Sequence, residues 1–368
     1  MAPKTPKKAA ANGPATAAAT KSKAVGSPKP QTRTPSASKV PEPFKFPLAV
    51  LLAFFLTSVL YQVASLFSGT EFGSVSRKSP TLLQAVGFNL WRIFELAVAW
   101  YLGYDGRRNR FALAAGASSL TSGNTDLDVT SLTLLTRTPY YFLLSTFYGI
   151  AATKSLLYLT IDVVSAALPF TLLRTRLPQH TPRSKPTLPN ASILSDPSIR
   201  ALTLTASSAV YAITISFSLR TWTPAFLVAH LSGVATVELA HSALPIFLAA
   251  AFTPLGWASS TLLFAPAAAA SATGPPAAPF DPVTASLRDT LVWNVWGWRR
   301  PTKVLVGRTA VLALLVAASS FVKVWGAVDG ADASGAAAWA ALWALSSAVQ
   351  GPLLGWIGLV GKDKAGEV

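Results

Sequence analysis

The chain has 368 residues, of which 51% are apolar and only 12% are charged, whereas soluble domains carry about 25% charged residues. Its mean hydropathy of +0.43 excludes an ordinary cytosolic enzyme and a simple nucleic-acid-binding domain. The sequence has no cysteine, which excludes disulfides, iron–sulfur centres and cysteine nucleophiles. This composition indicates a multi-pass helical membrane protein.

Positive charge is concentrated in the N-terminal tail, residues 1–45. The tail holds nine of the 31 Lys and Arg residues and one acid, so half of the net charge of +16 lies there. It consists mainly of Ala, Pro, Ser, Thr and Lys and cannot bury enough apolar surface to offset its ordering entropy, so we expect disorder. The tail is either a solvated cytosolic arm or an arm that docks on anionic lipid headgroups. No base-reading fold follows it, so nucleic acid is not an expected partner.

Apolar segments of the length needed for a membrane helix, about 20 residues, then follow. They predict an all-α, polytopic bundle of seven or eight membrane helices within residues 46–361, before a short tail at 362–368. The predicted spans are 47–67, 82–104, a hairpin over 131–173, 201–222, 243–265, 304–326 and 335–360.

Two of these segments contain interruptions. The hairpin is broken near Ala151–Lys154, and its shorter first arm, around Pro139–Ile150, either spans the membrane or is re-entrant. Within 243–265, Pro245 and Pro254 predict a kink or a break.

Residues 266–303 separate the fifth and sixth segments. We expect an Ala/Pro-rich linker first, and then a Trp-rich helix lying in the membrane interface. Its apolar residues recur at helical spacing and form one stripe: Leu287, Leu291, Val295 and Trp298. A buried Trp cluster is the alternative interpretation.

The distribution of basic residues predicts the orientation. With the N-terminus in the cytosol and the hairpin returning to its own side, the cytosolic segments carry 23 Lys and Arg residues and the opposite side five, as the positive-inside rule requires. The sequon at Asn190 then faces the cytosol and should stay unglycosylated. The favoured location is the endoplasmic reticulum or a related endomembrane, because the Lys-rich, proline-broken tail is a poor mitochondrial leader.

Among the charged residues within predicted spans, three are candidates for a site: Arg92, Glu95 and Asp162. Arg92 and Glu95 are spaced i, i+3 and can reach each other on one helix. Asp162 has no charged partner at this spacing, so we expect it to face another helix or water, with Arg92 as its candidate partner. The residues either hold the bundle together or line an ion or substrate pathway.

A second polar group consists of His230, Glu238 and His241. On one continuous helix, all three would lie on the same face. Imidazoles and a carboxylate are metal ligands, but the helix rise would hold the two histidines about 16 Å apart. They are therefore weak candidates for a metal or acid–base site, and we predict no metal and no cofactor.

A GxxxG pattern, Gly351 to Gly355, lies in the last span, where small residues allow close helix approach. Phosphate-binding loops and internal repeats are not evident in the sequence. The favoured function is therefore a non-enzymatic scaffold, assembly or membrane-organising protein with membrane-protein partners. The alternatives are a small-solute or ion transporter that uses Arg92, Glu95 and Asp162, and a lipid-modifying enzyme that uses His230, Glu238 and His241.

Overall fold

The computed structural model describes residues 41–69, 71–78, 81–102, 125–173, 196–242, 244–270, 286–296 and 300–363. Within these ranges the chain is nearly all helical and has no β-strand, which confirms the predicted all-α class. The tail up to residue 40, Asn190 and Trp298 lie outside the described residues, and what the sequence predicts for them stays a prediction.

The helices are numbered in chain order. The first half of the chain forms α1 (Glu42–Ser68), α2 (Glu71–Val75), α3 (Leu82–Leu102), α4 (Thr125–Phe147) and α5 (Ala152–Leu173). The middle forms α6 (Pro197–Arg220), α7 (Thr223–His230), α8 (Glu238–Ser242), α9 (Pro245–Ala251), α10 (Thr253–Ser259), a π-helical turn (Ser260–Phe264) and α11 (Ala265–Ala270). The last part forms α12 (Leu287–Trp296), α13 (Arg300–Ala327) and α14 (Ala333–Asp363).

Five helices are long and apolar enough to cross a membrane: α1, α5, α6, α13 and α14. The pair α9 and α10–α11 adds a sixth span if it is counted as one. This is fewer than the predicted seven or eight. Two further helices, α3 and α4, have 21 and 23 residues but fall outside this set. Both carry charged side chains within the helix, which lower the hydropathy of the segment.

The predicted break in the segment 243–265 is confirmed. Helix α9 ends at Ala251, α10 begins at Thr253, and the two are bent by 58°. Pro254 lies at the start of α10 and has no N–H to donate, so the hydrogen-bond ladder of α9 cannot continue through it.

Other boundaries differ from the sequence predictions. Helix α1 begins at Glu42 rather than 47, because Pro43 in its first turn has no N–H to lose and favours helix initiation. Helix α4 begins at Thr125 and continues through Pro139, so the first hairpin arm is longer than predicted. Residues 266–270 are helical and belong to α11 rather than to a linker. Helix α12 exposes Leu287 and Leu291.

The connections at one end of the bundle are joined by main-chain hydrogen bonds. The α13–α14 connection forms isolated antiparallel bridges, Val328 with Ser76 and Ala331 with Leu231. Further N–H···O bonds join Asp329 to Val75 at 2.9 Å, Ser232 to Gly330 at 3.1 Å and Ala235 to Phe147 at 2.8 Å. The segments after α2, α4, α7 and α13 therefore lie together.

Helices α13 and α14 approach closely at the GxxxG pattern. A Cβ atom on Gly351 would lie 2.7 Å from Thr309 Oγ1, and one on Gly355 would lie 2.9 Å from Leu305 Cδ2. A larger side chain at Gly351 or Gly355 therefore requires Thr309 or Leu305 to shift. The expected role of the small residues in helix packing is confirmed.

Candidate functional site

Five charged side chains converge between α3, α4, α5 and α13, and we name them the charge cluster: Arg92, Glu95, Arg137, Asp162 and Lys323. Glu95, Arg137 and Asp162 are buried, with 6%, 3% and 4% of their surface exposed. Burying a charge is costly unless it is paired and hydrogen-bonded, so the contacts of each group determine what the cluster can do.

Glu95 is the most fully satisfied member of the charge cluster. Its Oε2 atom accepts a hydrogen bond from Arg137 Nη2 and lies 3.3 Å from Arg92 Nη1. Its Oε1 atom accepts hydrogen bonds from Ser319 Oγ at 2.5 Å and Trp91 Nε1 at 3.0 Å. The predicted i, i+3 pair with Arg92 is present, but the deeply buried partner comes from α4.

The partners of the Asp162 carboxylate come from helices other than α5. Its carboxylate accepts hydrogen bonds from Tyr61 at 2.7 Å and Tyr141 at 3.0 Å, and these two hydroxyls lie 2.9 Å apart. Arg137 Nε and Lys323 Nζ each lie 3.9 Å from Asp162 Oδ2. Two tyrosines therefore satisfy the carboxylate, while two cations balance its charge.

Arg92 is the partner expected for the Asp162 carboxylate, but its contact is with the main chain of Asp162. Arg92 Nη2 lies 3.5 Å from the carbonyl oxygen of Asp162, whereas the ion pairs of the carboxylate are with Arg137 and Lys323. The sequence reasoning did not assign these two residues to a site. Each is a basic residue within an apolar helix, and that position is the signal that could have identified them.

A cavity of about 230 Å³ lies beside the charge cluster. Residues of α1, α3, α4, α5 and α13 line it, among them Tyr61, Asn89, Arg92, Arg137, Asp162 and Lys323. It is not sealed, since the side chains of Arg92 and Lys323 are 15% and 24% exposed. The charge cluster therefore has room beside it for water or for a small polar group.

A second buried cation lies at the π-helical turn. Arg308 Nη1 donates a hydrogen bond to the Leu262 carbonyl at 2.7 Å, and Arg308 Nη2 lies 3.9 Å from Asp128. A π-turn breaks the regular i to i−4 ladder, and here the guanidinium group of α13 satisfies a carbonyl of that turn. This contact ties the bent span to α13.

The residues His230, Glu238 and His241 do not share one helical face. His230 ends α7, whereas Glu238 and His241 lie in the separate helix α8. Between them the chain turns at Gly233, which has a φ of 73° that residues with a side chain rarely adopt. In the described part of the chain, no three His, Cys, Asp or Glu side chains are grouped so that they could hold a metal ion.

His230 instead contacts the start of α14. Its Nδ1 atom lies 2.9 Å from Asp332 Oδ2, and Asp332 Oδ1 accepts a hydrogen bond from the Gly335 N–H at 2.7 Å. The Gly335 bond, followed by the His230 contact, lowers the pKa of Asp332 to about 2. Asp332 thus caps α14 and joins it to α7.

Residues 196–357 match the family model described as the Bouquet formation protein 3 C-terminal domain. The match begins at the residue before α6 and ends within α14, so it includes Arg308. Of the charge cluster it includes only Lys323, since Arg92, Glu95, Arg137 and Asp162 precede it. Comparison with curated proteins finds no match, and comparison with solved structures finds none. The C-terminal part of this chain is therefore similar to the Bouquet formation protein 3 C-terminal domain.

Proposed function

We propose that this chain is a non-enzymatic, multi-pass scaffold or membrane-organising protein of an endomembrane. The observation that carries the proposal is the match of residues 196–357 to the Bouquet formation protein 3 C-terminal domain, on a chain with five helices long and apolar enough to span a membrane. The family name suggests a nuclear-envelope or endoplasmic-reticulum context. We propose this location for the chain, with other membrane proteins as its partners.

We further propose eight crossings. Helices α3 and α4 cross in addition to the five apolar helices and the bent span, because their charges pair inside the bundle rather than facing lipid. In this arrangement the N-terminal tail, with its docking to anionic lipid headgroups, lies in the cytosol. The hydrogen-bonded connections after α2, α4, α7 and α13 lie together on the opposite side. The excess of basic residues in the remaining connections supports this orientation.

Chemical cross-linking and co-purification of the full chain from its native membrane test the scaffold role. We expect one or more membrane proteins to co-purify at a constant ratio in mild detergent. The ratio should be unchanged in His241→Ala, which alters a candidate enzyme residue. The purified protein should produce no solute flux in proteoliposomes. Isolation of the chain without any partner, together with flux above that of protein-free liposomes, would overturn the scaffold role.

A transporter is the second candidate, and the cavity beside the charge cluster favours it. Intramembrane charges that line a cavity are typical of ion and substrate pathways. Asp162→Asn keeps the size of the side chain and distinguishes the two roles. A pathway carboxylate would lose pH-dependent flux in this variant, whereas a scaffold would keep its partner ratio.

A further inference from the structure

The cavity beside the charge cluster carries a surplus of positive charge. In their ordinary ionisation states, Arg92, Arg137 and Lys323 outnumber the carboxylates of Glu95 and Asp162 by one. The cavity lies within a bundle of membrane helices, where an uncompensated charge is costly. A bound group with a single negative charge would neutralise the surplus.

The hydrogen-bond donors around the cavity are also incompletely used. Arg137 Nε is buried and has no hydrogen-bond partner among the described residues. Lys323 makes no hydrogen bond within the same ranges, since its amino group lies 3.9 Å from Asp162 and 5.4 Å from the centre of the Tyr140 ring. The carboxylates, by contrast, already accept hydrogen bonds: two at Asp162 and four at Glu95. A ligand that supplies acceptor oxygens would give these unused donors hydrogen-bond partners.

The position of Lys323 favours an occupant from the membrane interface. Helix α13 has 28 residues and is therefore about 42 Å long, whereas the hydrocarbon core of a bilayer is about 30 Å thick. Lys323 lies four residues before the end of α13 at Ala327, or about 6 Å along the helix. This places the main chain of Lys323 near the depth of the lipid headgroups, and its side chain extends inward to Asp162.

We propose that the cavity binds one singly charged phosphate group, held by Lys323 and Arg137 with Arg92 beside them. The group is either the phosphodiester of a phospholipid or inorganic phosphate. The inference goes beyond the scaffold role and does not depend on it. A volume of about 230 Å³ is below the usual range for drug-sized ligands and suits a headgroup fragment.

Thermal unfolding of the purified full chain in uncharged detergent tests the site. The probes are dihexanoyl phosphatidylglycerol and inorganic phosphate, titrated separately. A probe that binds only the folded state stabilises it by RT ln(1 + L/Kd), where L is the probe concentration, so the unfolding temperature rises with probe concentration. A shift with the phospholipid alone identifies a lipid site, whereas a shift with inorganic phosphate identifies a free-phosphate site. No shift with either probe overturns the proposal.

Three variants locate the binding. Lys323→Gln removes a charged donor and should weaken the apparent affinity roughly tenfold or more, whereas Lys323→Arg should retain it. The matched control is Lys154→Gln, which removes a partly exposed lysine paired with Glu71, away from the cavity, and should bind like the wild type. Equal binding by the wild type and Lys323→Gln would overturn the assignment.

Asn89→Trp tests the cavity independently, including in the case that Lys323→Gln does not fold. Asn89 lines the cavity, and among the described residues its side chain is hydrogen-bonded only to the Ala85 carbonyl of its own helix. A bulky ring at this position should block the cavity while leaving the charge cluster intact. A folded Asn89→Trp protein that binds the probe as tightly as the wild type would exclude this cavity as the site.

Discussion

Glu95 and Arg137 form the central pair of the charge cluster, and the pair is both buried and hydrogen-bonded. A buried ion pair contributes little net stability compared with apolar residues of similar size, but removing one partner leaves an uncompensated charge. The cluster therefore constrains which helices can be neighbours. Each member requires a partner from another helix at the same depth.

A double-mutant cycle measures this constraint. Glu95→Gln and Arg137→Met should each lower the free energy of unfolding by about 3–5 kcal/mol, because each leaves a buried charge without its main partner. The double variant should be less destabilised than the sum of the two. The measurement is unfolding in detergent, and additive losses within about 0.5 kcal/mol would show that the two groups do not interact. The same cycle for Asp162 and Arg92 should give a smaller coupling, since Arg92 reaches only the Asp162 carbonyl.

Asp332 provides a pH-dependent contribution to stability. Its pKa in the folded protein, about 2, lies below the ordinary value of 3.8, so the carboxylate stabilises the fold above pH 3.8. This contribution is lost as the pH falls from there towards 2. Asp332→Asn should therefore unfold at a lower temperature than the wild type near neutral pH, and the difference should vanish near pH 2. A difference that is the same at both pH values would contradict this role.

The candidate residues Arg92, Glu95 and Asp162 could be identified from the sequence because a charge is conspicuous in an apolar stretch. Their partners could not, because they come from distant parts of the chain: Arg137 lies 42 residues after Glu95, and Ser319 lies 224 after it. Hydropathy gives the approximate depth of a residue but not the direction in which its helix faces. That direction is determined by packing between helices.

At the scale of the helices, the sequence located most elements but not all of their ends. Apolar length predicted α1, α5, α6, α13 and α14, and the two prolines predicted the break between α9 and α10. The length of α4 was underestimated because Asp126, Asp128 and Arg137 interrupt its hydropathy, although each is compatible with a helix. The sequence could place His230, Glu238 and His241 on one face only if they shared a continuous helix, and the structure instead has a turn at Gly233 between α7 and α8.

The α13–α14 contact gives a test of packing. Gly351→Val should lower the free energy of unfolding by about 1–3 kcal/mol, because the added side chain would collide with Thr309. Gly307→Val is the matched control, since nothing lies within 4 Å of a Cβ atom at that position. Unfolding of both variants in detergent measures the difference. Equal changes in the two variants would indicate that the contact with α13 does not determine the effect.

At the scale of the whole molecule, the absence of native cysteine makes the proposed orientation directly testable. Ser184 lies in the segment 174–200, which the proposed orientation assigns to the cytosol. Glu238 lies in α8, which the same orientation assigns to the opposite side. In sealed microsomes, a membrane-impermeant maleimide should label Ser184→Cys at once but Glu238→Cys only after permeabilisation. The unmodified chain is the control and should not be labelled. The reverse pattern would invert the orientation.

Deletion of the N-terminal tail tests its proposed docking to lipid. Without residues 1–40, the described helices should still form, since α1 begins at Glu42. Binding to anionic liposomes should fall relative to the full chain. The loss should be greatest at low salt, because exposed charges are screened over about 8 Å at physiological ionic strength. Unchanged binding at low salt would remove the docking role.

The bridges at one end of the bundle have a consequence for the order in which the molecule is made. Ser319 follows Glu95 by 224 residues, and a ribosome adding about 5–20 residues per second needs roughly 10–45 s to reach it. Throughout this interval Ser76 lacks its bridge partner in the α13–α14 connection, and so does Leu231 once it has been made. Until then these main-chain groups and the Glu95 carboxylate lack their final partners. The last two helices, α13 and α14, therefore complete the assembly of helices made before them.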